Sequence, residues 1–173
     1  ILKTIGDPHN MSRLNSVIRR LQAQRDCLNA AAEMIKGHDG IVLEVGLGNG
    51  RTFDHLREIM PDREIFVFDR QIAAHPKCIP DDDHLFLGDI FETLPMAVER
   101  FKGKVALVHS DVGTGDEALN AKIASFIGQT LPPALIKGAI VASDQKIDVP
   151  GTITEPLPEG VPQDRYFFRR YQG

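Results

Sequence analysis

The chain has 173 residues, of which 42% are hydrophobic and 25% charged, and its formal net charge is −4. This composition is typical of a globular protein, and the acidic balance argues against a nucleic-acid partner. The sequence contains no apolar run near the ~20 residues of a membrane span.

The length predicts a single domain over residues 1–173 with a core of its own. Cys27 and Cys78 do not form a CxxC motif, so we expect free thiols in a reducing, cytoplasmic compartment. The sequence starts at Ile1 rather than Met, which leaves open a leader upstream.

The first elements are an irregular segment over residues 1–11 and a long helix. Ser12 can cap this helix, in which apolar residues from Leu14 to Ile35 follow a helical period. Gly37 and Gly40 favour its termination.

After this helix, strand-like and helix-like segments alternate along the chain. The predicted strands cover residues 41–45, 65–69, 84–89, 104–111, 138–144 and 166–172. The predicted helices cover residues 52–60, 91–101 and 116–136, the last interrupted at Pro132 and Pro133.

This alternation predicts a doubly wound, Rossmann-like α/β domain with three layers and a mostly parallel sheet. We expect a shortened C-terminal end, because the segment VPGTITEPLPEGVP is too rich in proline for a helix. The domain would comprise an N-terminal helical segment (1–37), a binding core (41–145) and a proline-rich connection with a terminal strand (146–173).

A glycine-rich turn, GLGNG, follows the first strand. It differs from the dinucleotide motif G-x-G-x-x-G in the spacing of its third glycine. Glu44 precedes the first glycine by two residues, and a carboxylate there suits a cationic ligand better than a pyrophosphate.

Acidic residues also end the next three predicted strands. Asp69 can accept hydrogen bonds from ribose hydroxyls, and Asp89 can accept one from an adenine amino group. Asp111 ends the fourth strand. Each acid could instead be an ordinary cap or turn residue, as Asp89 would be before a helix, but their repetition favours an adenosine ligand with a positive charge.

The segments VLEVGLGNG, FVFD, LGDI and LVHSD resemble, in order, four motifs of the class I S-adenosylmethionine-dependent methyltransferases. The resemblance spans about residues 40–145 and implies methyl transfer from S-adenosylmethionine to a small-molecule acceptor. The residues expected to bind the cofactor are Glu44, Gly46, Gly48, Asn49, Gly50, Thr52, Asp69, Arg70, Gly88, Asp89, Ile90, Ser110 and Asp111, with Arg13 closing over a carboxylate.

Members of this family usually carry a helix after the fifth strand and a terminal hairpin. Only 29 residues follow Asp144, which implies a trimmed C-terminal end. We expect the apolar tail YFFRRY to form an exposed edge strand that could pair in a homo-oligomer.

A weaker resemblance concerns the divalent-metal-dependent, catechol-type O-methyltransferases. The segment SDQKIDVPG at 143–151 resembles their fifth-strand motif, which implies Mg²⁺ held by Asp111, Asp144 and Gln145. Gln145 stands where that family has asparagine, and Thr114 stands where it has a lysine base.

The candidate catalytic residues are Asp111 and His109. His109 precedes Asp111 by two residues in the same strand, so both side chains should point to the same face. The alternative for His109 is a hydrogen-bonded core residue. Methylation of a hydroxyl, possible for this chain as an O-methyltransferase, would require a base or a metal.

Three other functions remain open at this point. A non-catalytic protein that binds an adenosine ligand would need the same pocket. An NAD-dependent dehydrogenase is disfavoured by the glycine spacing and by Glu44. Aminopropyl transfer is disfavoured because too few acidic acceptor ligands can be placed.

Overall fold

The computed structural model describes residues 11–173, so most of the segment predicted as an irregular entry lies outside the described residues. The chain enters through helix α1 (Arg13–Met34), and the Ser12 side chain accepts a hydrogen bond from the Asn15 backbone N–H, as its capping position predicts. No helix in the described part of the chain is long and apolar enough to cross a membrane.

A seven-stranded sheet in the order β3-β2-β1-β4-β5-β7-β6 forms the centre of the fold. The pairs among β1 to β5 are parallel, whereas β7 runs antiparallel to both β5 and β6. The strands are β1 (Ile41–Val45), β2 (Ile65–Asp69), β3 (Leu85–Leu87), β4 (Val105–Ser110), β5 (Leu135–Ser143), β6 (Thr152–Glu155) and β7 (Phe167–Tyr171). The remaining helices are α2 (Arg51–Ile59), α3 (Ile90–Arg100) and α4 (Glu117–Thr130).

Helices cover both faces of the sheet, which confirms the predicted doubly wound α/β class. On one face, α1 and α2 pack against residues such as Val42 and Leu107. On the other, α3 and α4 pack against Leu43 and Val108. Because strand side chains alternate, Glu44 and His109 share the face of α1 and α2.

The C-terminal end differs in part from the expectation. The described residues contain no helix between β5 and β7, as the prolines predict, but they do contain the antiparallel pair of β6 and β7. The expectation of an exposed tail strand is wrong, because β7 lies between β5 and β6 and both its edges are paired. The argument for a homo-oligomer through this tail therefore fails.

Candidate functional site

The glycine turn after β1 lies at the carboxyl edge of the sheet, where doubly wound domains bind ligands. Strand pairing continues past β1 on both sides: the Gly46 N–H donates to the Phe68 carbonyl at 2.8 Å, and the Asp111 N–H donates to the Val45 carbonyl at 3.1 Å. Gly46 has φ +99, and a Cβ on it would lie 2.6 Å from the Asp111 carbonyl oxygen. The backbone is therefore too close to its neighbours for a side chain at this position.

Asp69 connects the end of β2 to this turn. Its Oδ2 accepts hydrogen bonds from the backbone N–H groups of Leu47 (2.9 Å) and Gly48 (3.0 Å), and its Oδ1 accepts one from that of Arg70 (2.6 Å). Oδ1 also accepts a longer hydrogen bond from the Gln71 N–H at 3.3 Å, so the roughly four acceptor sites of this carboxylate are in use, and a ligand hydroxyl would replace one of these bonds.

Two cavities meet at the glycine turn, and Gly46, Gly48 and Asp111 line both. The first, which we call the apolar cavity, has a volume of about 240 Å³. Its apolar lining comes from Val45, Phe68, Ile90, Val112, Leu119 and Ile123, and Asp69, Arg70 and Gly88 also border it.

The second, which we call the polar cavity, has a volume of about 190 Å³ and lies between α1 and the start of α2. Its polar lining comes from Arg20, Gln24, Asn49, Arg51 and Thr52. Together the two cavities suit an elongated ligand that places a ring in the apolar cavity and a charged group in the polar cavity. A larger cavity of about 630 Å³ lies between α1 and residues 160–165, but it does not include the glycine turn.

A buried polar cluster supports the turn from the α1 side. Glu44 is fully buried, and its oxygens accept hydrogen bonds from the Thr52 hydroxyl (2.6 Å) and from His109 Nδ1 (2.8 Å). His109 is also fully buried, with its Nε2 2.7 Å from the Tyr166 hydroxyl. Glu44 and His109 are not among the residues that line the two cavities, and their expected roles in ligand binding and catalysis stay predictions.

Electrostatics in this cluster follow from burial. Burial is the largest single effect and lowers the pKa of His109, but the charge and hydrogen bond of Glu44, together with the charges of Asp111 and Asp144, outweigh it, so the pKa of His109 is raised. Burial also raises the pKa of Tyr166 above its ordinary value, so this hydroxyl stays protonated.

A pair of carboxyl groups lies where β4 and β5 end. Burial, and after it the negative charge of the neighbouring Asp111, raises the pKa of Asp144 to about 7. Asp111 Oδ2 also accepts a hydrogen bond from Gln24 Nε2 at 2.7 Å, whereas the buried Asp144 Oδ1 has no hydrogen-bond partner among the described residues. The pair can therefore hold one proton between its two members at neutral pH.

The third residue of the expected metal set, Gln145, lies close to this pair. A Cβ on Gly113 would be 3.3 Å from Gln145 Nε2 and 3.4 Å from Asp144 Oδ2. In the described part of the chain, no group of three or more His, Cys, Asp or Glu side chains is arranged to hold a metal.

Several other predicted residues occupy positions at or near the turn. Asp89 is exposed, and its side chain caps α3 by accepting from the Phe91 N–H at 3.0 Å. Ser110 is buried, and Asn49 accepts from the Arg51 N–H at 3.1 Å. Gly50, with φ +84, precedes α2 as its N-cap. Arg13 is exposed at the first turn of α1 and lines neither cavity.

Four residues at the site carried no sequence signal that could assign them to it. They are Gln24, Tyr166, Arg20 and Arg51. The arginines occur among other basic residues of exposed helix faces, and the contacts of Gln24 and Tyr166 span long stretches of chain. Only the fold brings them to the glycine turn.

Comparison with known proteins decides the family. A family model described as S-adenosyl-L-methionine methyltransferase matches residues 11–171, nearly all of the described chain. The chain belongs to this family. A search of curated protein sequences found no significant match.

Solved structures agree with the assignment of this methyltransferase. It is similar to an S-adenosyl-L-methionine methyltransferase from Silicibacter pomeroyi DSS-3, with 41% identity, a TM-score of 0.86, and coverage of 93% of this chain and 99% of that chain. The sugar N-methyltransferase KedS8 from Streptoalloteichus sp ATCC 53650 is 13% identical, with a TM-score of 0.59 and coverage of 100% and 98%. The SAH-bound methyltransferase PaMTH1 from Podospora anserina is 16% identical, with a TM-score of 0.55 and coverage of 97% and 83%. The last two likenesses show the fold alone.

The protein is thus an S-adenosylmethionine-dependent methyltransferase with an α/β fold, as the four sequence motifs predicted. This assignment favours methyl transfer over the dehydrogenase, aminopropyl-transfer and non-catalytic alternatives.

Proposed function

We propose that this methyltransferase transfers the methyl group of S-adenosylmethionine to a hydroxyl oxygen of a small molecule. The observation that carries this proposal is the Asp111–Asp144 carboxyl pair beside the glycine turn. A hydroxyl acceptor must lose its proton during transfer, and a base whose pKa lies near the working pH serves this purpose best. With a pKa of about 7, Asp144 meets that requirement.

The two cavities support a cofactor pose. In this pose, the adenine ring occupies the apolar cavity and the ribose hydroxyls donate to Asp69. The sulfonium lies near Gly46 and Asp111, where both cavities meet and where a negative charge favours the cation.

The amino-acid end of the cofactor then lies in the polar cavity. Arg20 and Arg51 line this cavity and can pair with the cofactor carboxylate. We propose this role for them in place of Arg13, which lines neither cavity. The oxygens of the buried Glu44 already accept hydrogen bonds from Thr52 and His109. In this pose Glu44 therefore contributes to cofactor binding through its negative charge and through Thr52, which lines the polar cavity.

Binding of Mg²⁺ is a second candidate function for the residues at this edge of the sheet. Asp111, Asp144 and Gln145 offer oxygen donors of the kind Mg²⁺ prefers, and the unpartnered Asp144 Oδ1 fits a ligand atom. Bound there, Mg²⁺ would lower the pKa of an acceptor hydroxyl. Asp111 Oδ2 already accepts a hydrogen bond from Gln24, which a metal at this oxygen would have to share or replace.

The test uses radiolabelled S-adenosylmethionine and a panel of small acceptors: phenol, catechol and benzylamine. We expect label on the hydroxyl acceptors, and a loss of about 10²–10⁴-fold in rate for Asp144→Asn. Calorimetry should show cofactor affinity within about threefold of the wild type, because Asp144 does not line the cofactor cavities.

Two outcomes contradict the proposal. Transfer to benzylamine alone would exclude a hydroxyl acceptor, and full activity of Asp144→Asn would exclude the base. A chelator separates the two candidates: activity that survives EDTA supports the carboxyl pair as base, and activity restored only by added Mg²⁺ supports the metal.

A further inference from the structure

The cavity of about 630 Å³ between α1 and residues 160–165 has no part in the proposed function. On the helix side its lining runs from Ser16 to Asp26, and we call it the arginine cavity. Small-molecule sites in proteins have volumes of about 300–1,000 Å³, so this cavity has the size of a ligand site. The glycine turn, Asp69 and Asp111 are not among its lining residues, so it is separate from the cofactor site.

Buried residues hold both walls of the arginine cavity in place. On the helix side, Ala23 is buried and packs in the core. On the loop side, Val161 belongs to the same core cluster. Tyr166, the residue after the loop wall, is also buried, with its hydroxyl 2.7 Å from His109 Nε2. The walls are therefore fixed by the core, and a ligand would enter a preformed cavity.

The loop wall contains a turn with an unusual backbone. The Arg165 N–H donates to the Pro162 carbonyl at 3.3 Å, and Asp164, between them, has φ +64. In the described part of the chain, Asp164 is the single residue other than glycine with a positive φ. Such backbone conformations are unfavourable and persist where the surrounding structure fixes them, which is frequent beside ligand sites.

The arginine cavity is positively charged although the chain as a whole is acidic. Three arginines and two aspartates line it, which gives a formal charge of +1 against −4 for the whole chain. They are Arg19, Arg25, Arg165, Asp26 and Asp164. Arg25 and Asp26 form an ion pair at 3.0 Å, so the excess positive charge belongs to the other two arginines.

These two arginines lie on opposite walls and retain hydrogen-bond donors for a ligand. Among residues 11–173, neither Arg19 nor Arg165 forms an ion pair with a carboxylate, whereas other arginines of the chain do. The Arg19 guanidinium contacts the Met11 sulfur at 3.9 Å, which is a weak acceptor. A guanidinium carries five N–H donors, so both side chains can bind an anion.

We propose that the arginine cavity binds a small organic anion. Its carboxylate or phosphate group lies between Arg19 and Arg165, because a guanidinium binds either group through two parallel N–H···O hydrogen bonds. The apolar body of the anion lies against Ala23 and Val161. Since the cavity is separate from the glycine turn, the anion and the cofactor bind at the same time.

Calorimetry on the full chain at low salt tests the ligand class with four probes. They are 3-phenylpropionate, phenyl phosphate, the neutral 3-phenylpropanamide, and acetate, which lacks the apolar body. We expect both aromatic anions to bind, the tighter of the two identifying the preferred anionic group, and the amide and acetate to bind at least about tenfold more weakly. No binding of either aromatic anion, or equal binding of the amide or of acetate, would overturn the proposal.

Variants of the charged residues locate the bound anion. Arg19→Gln and Arg165→Gln should each weaken binding of 3-phenylpropionate by about tenfold or more. Arg13→Gln, the matched change on an exposed arginine of α1 outside the cavity, should leave it within about twofold. Equal losses in all three variants would mean a general effect of charge and would overturn the site.

Asp164→Asn gives the opposite sign. Asparagine tolerates a positive φ, so this variant removes the negative charge from the wall and keeps the turn. We expect binding of 3-phenylpropionate to be about 2–5-fold tighter. Unchanged or weaker binding would place the anion elsewhere.

Competition with S-adenosylhomocysteine separates the arginine cavity from the cofactor site. Saturating S-adenosylhomocysteine should leave the affinity for 3-phenylpropionate within about threefold. Complete competition would mean that the anion binds Arg20 and Arg51 in the polar cavity, and would overturn the proposal. None of these measurements uses methyl transfer, so their outcome is independent of the proposed hydroxyl acceptor.

Discussion

Two histidines at opposite edges of the sheet each lie between two oxygen partners, but only one is sealed from water. At the carboxyl edge, His109 contacts Glu44 and Tyr166 and is fully buried. At the amino edge, His84 contacts Asp81 at 2.7 Å and Glu64 at 3.1 Å, with 28% of its side chain exposed. The hydrogen-bond distances are similar, so burial is the main difference.

The comparison shows that burial determines how much a polar contact contributes to the free energy of folding. Water can replace the partners of His84, so those ion pairs contribute little to folding. Nothing can replace the partners of His109, so losing one leaves a buried group unpaired. We therefore expect the carboxyl-edge cluster to be essential for the fold and the amino-edge cluster to be dispensable.

The largest effect should come from removing one carboxylate of each cluster. Glu44→Ala should lower the free energy of unfolding by about 3–5 kcal/mol, because it leaves His109 and Thr52 without their buried partner. Glu64→Ala, the matched change beside His84, should cost less than about 1 kcal/mol. Urea denaturation at pH 7 measures both, and equal losses would refute the comparison.

The crowding of the carboxyl edge can be tested with two glycines that share φ +84. A Cβ on Gly50 would lie 2.5 Å from Cys78 Cβ, whereas a Cβ on Gly160 would meet no atom within 4 Å. Both alanine variants should lose about 1–2 kcal/mol from the left-handed backbone, and Gly50→Ala should lose about 1–3 kcal/mol more from the clash. Thermal unfolding measures both losses of stability. Equal losses for the two variants would mean that the loop beside Gly50 moves to accommodate the added methyl group at no cost.

The pH dependence of activity should reflect the titration of the Asp111–Asp144 pair at the carboxyl edge and should not depend on His84 at the amino edge. Because the pKa of Asp144 is about 7, the pair loses its base form as the pH falls, and the rate at pH 5 should be about 100-fold below its plateau. The measurement is kcat in the presence of a chelator from pH 5 to 9. His84→Ala should leave this profile unchanged, and a wild-type rate that is flat down to pH 5 would contradict the prediction.

The smallest effect should come from His84 itself. The hydrogen bond with Asp81 raises the pKa of His84 above 6.5, so its stabilising contribution is complete below that pH and is lost as the pH rises through the raised value. We expect His84→Ala to lower the melting temperature by at most about 3 °C at pH 6 and by less at pH 9. A larger loss at pH 9 would have the wrong sign.

Elements with a local signal could be predicted from the sequence. The strands 41–45 and 65–69 were predicted with the bounds that the structure has, because continuous apolar runs end there at glycine or aspartate. Strand β6 was missed, since its four residues lie among prolines and pair only with β7. The tail strand was predicted, but its interior place in the sheet depends on that missed partner.

The site was predictable to the extent that it follows the strand ends. The glycine turn, Asp69 and Asp111 border the cavities, as their positions suggested. Whether an acid at a strand end faces a ligand, caps a helix or is sealed in the core depends on packing, which separates Asp69 from Asp89 and Glu44. Gln24 contacts Asp111 and Tyr166 contacts His109 across long stretches of sequence, so no local pattern could reveal these contacts.

The meeting of α1 with Tyr166 also has a consequence for biosynthesis. Helix α1, which supplies Gln24, leaves the ribosome before strands β1 to β5, whereas Tyr166 and the strand β7 leave after them. The earlier strands can pair while the chain is still growing, but the Tyr166 hydroxyl that contacts the buried His109 arrives only afterwards. Nascent chains that lack Tyr166 and β7 would carry the glycine turn while one partner of the buried His109 is still missing, so we expect methyl transfer to be acquired only after β1 to β5 have formed.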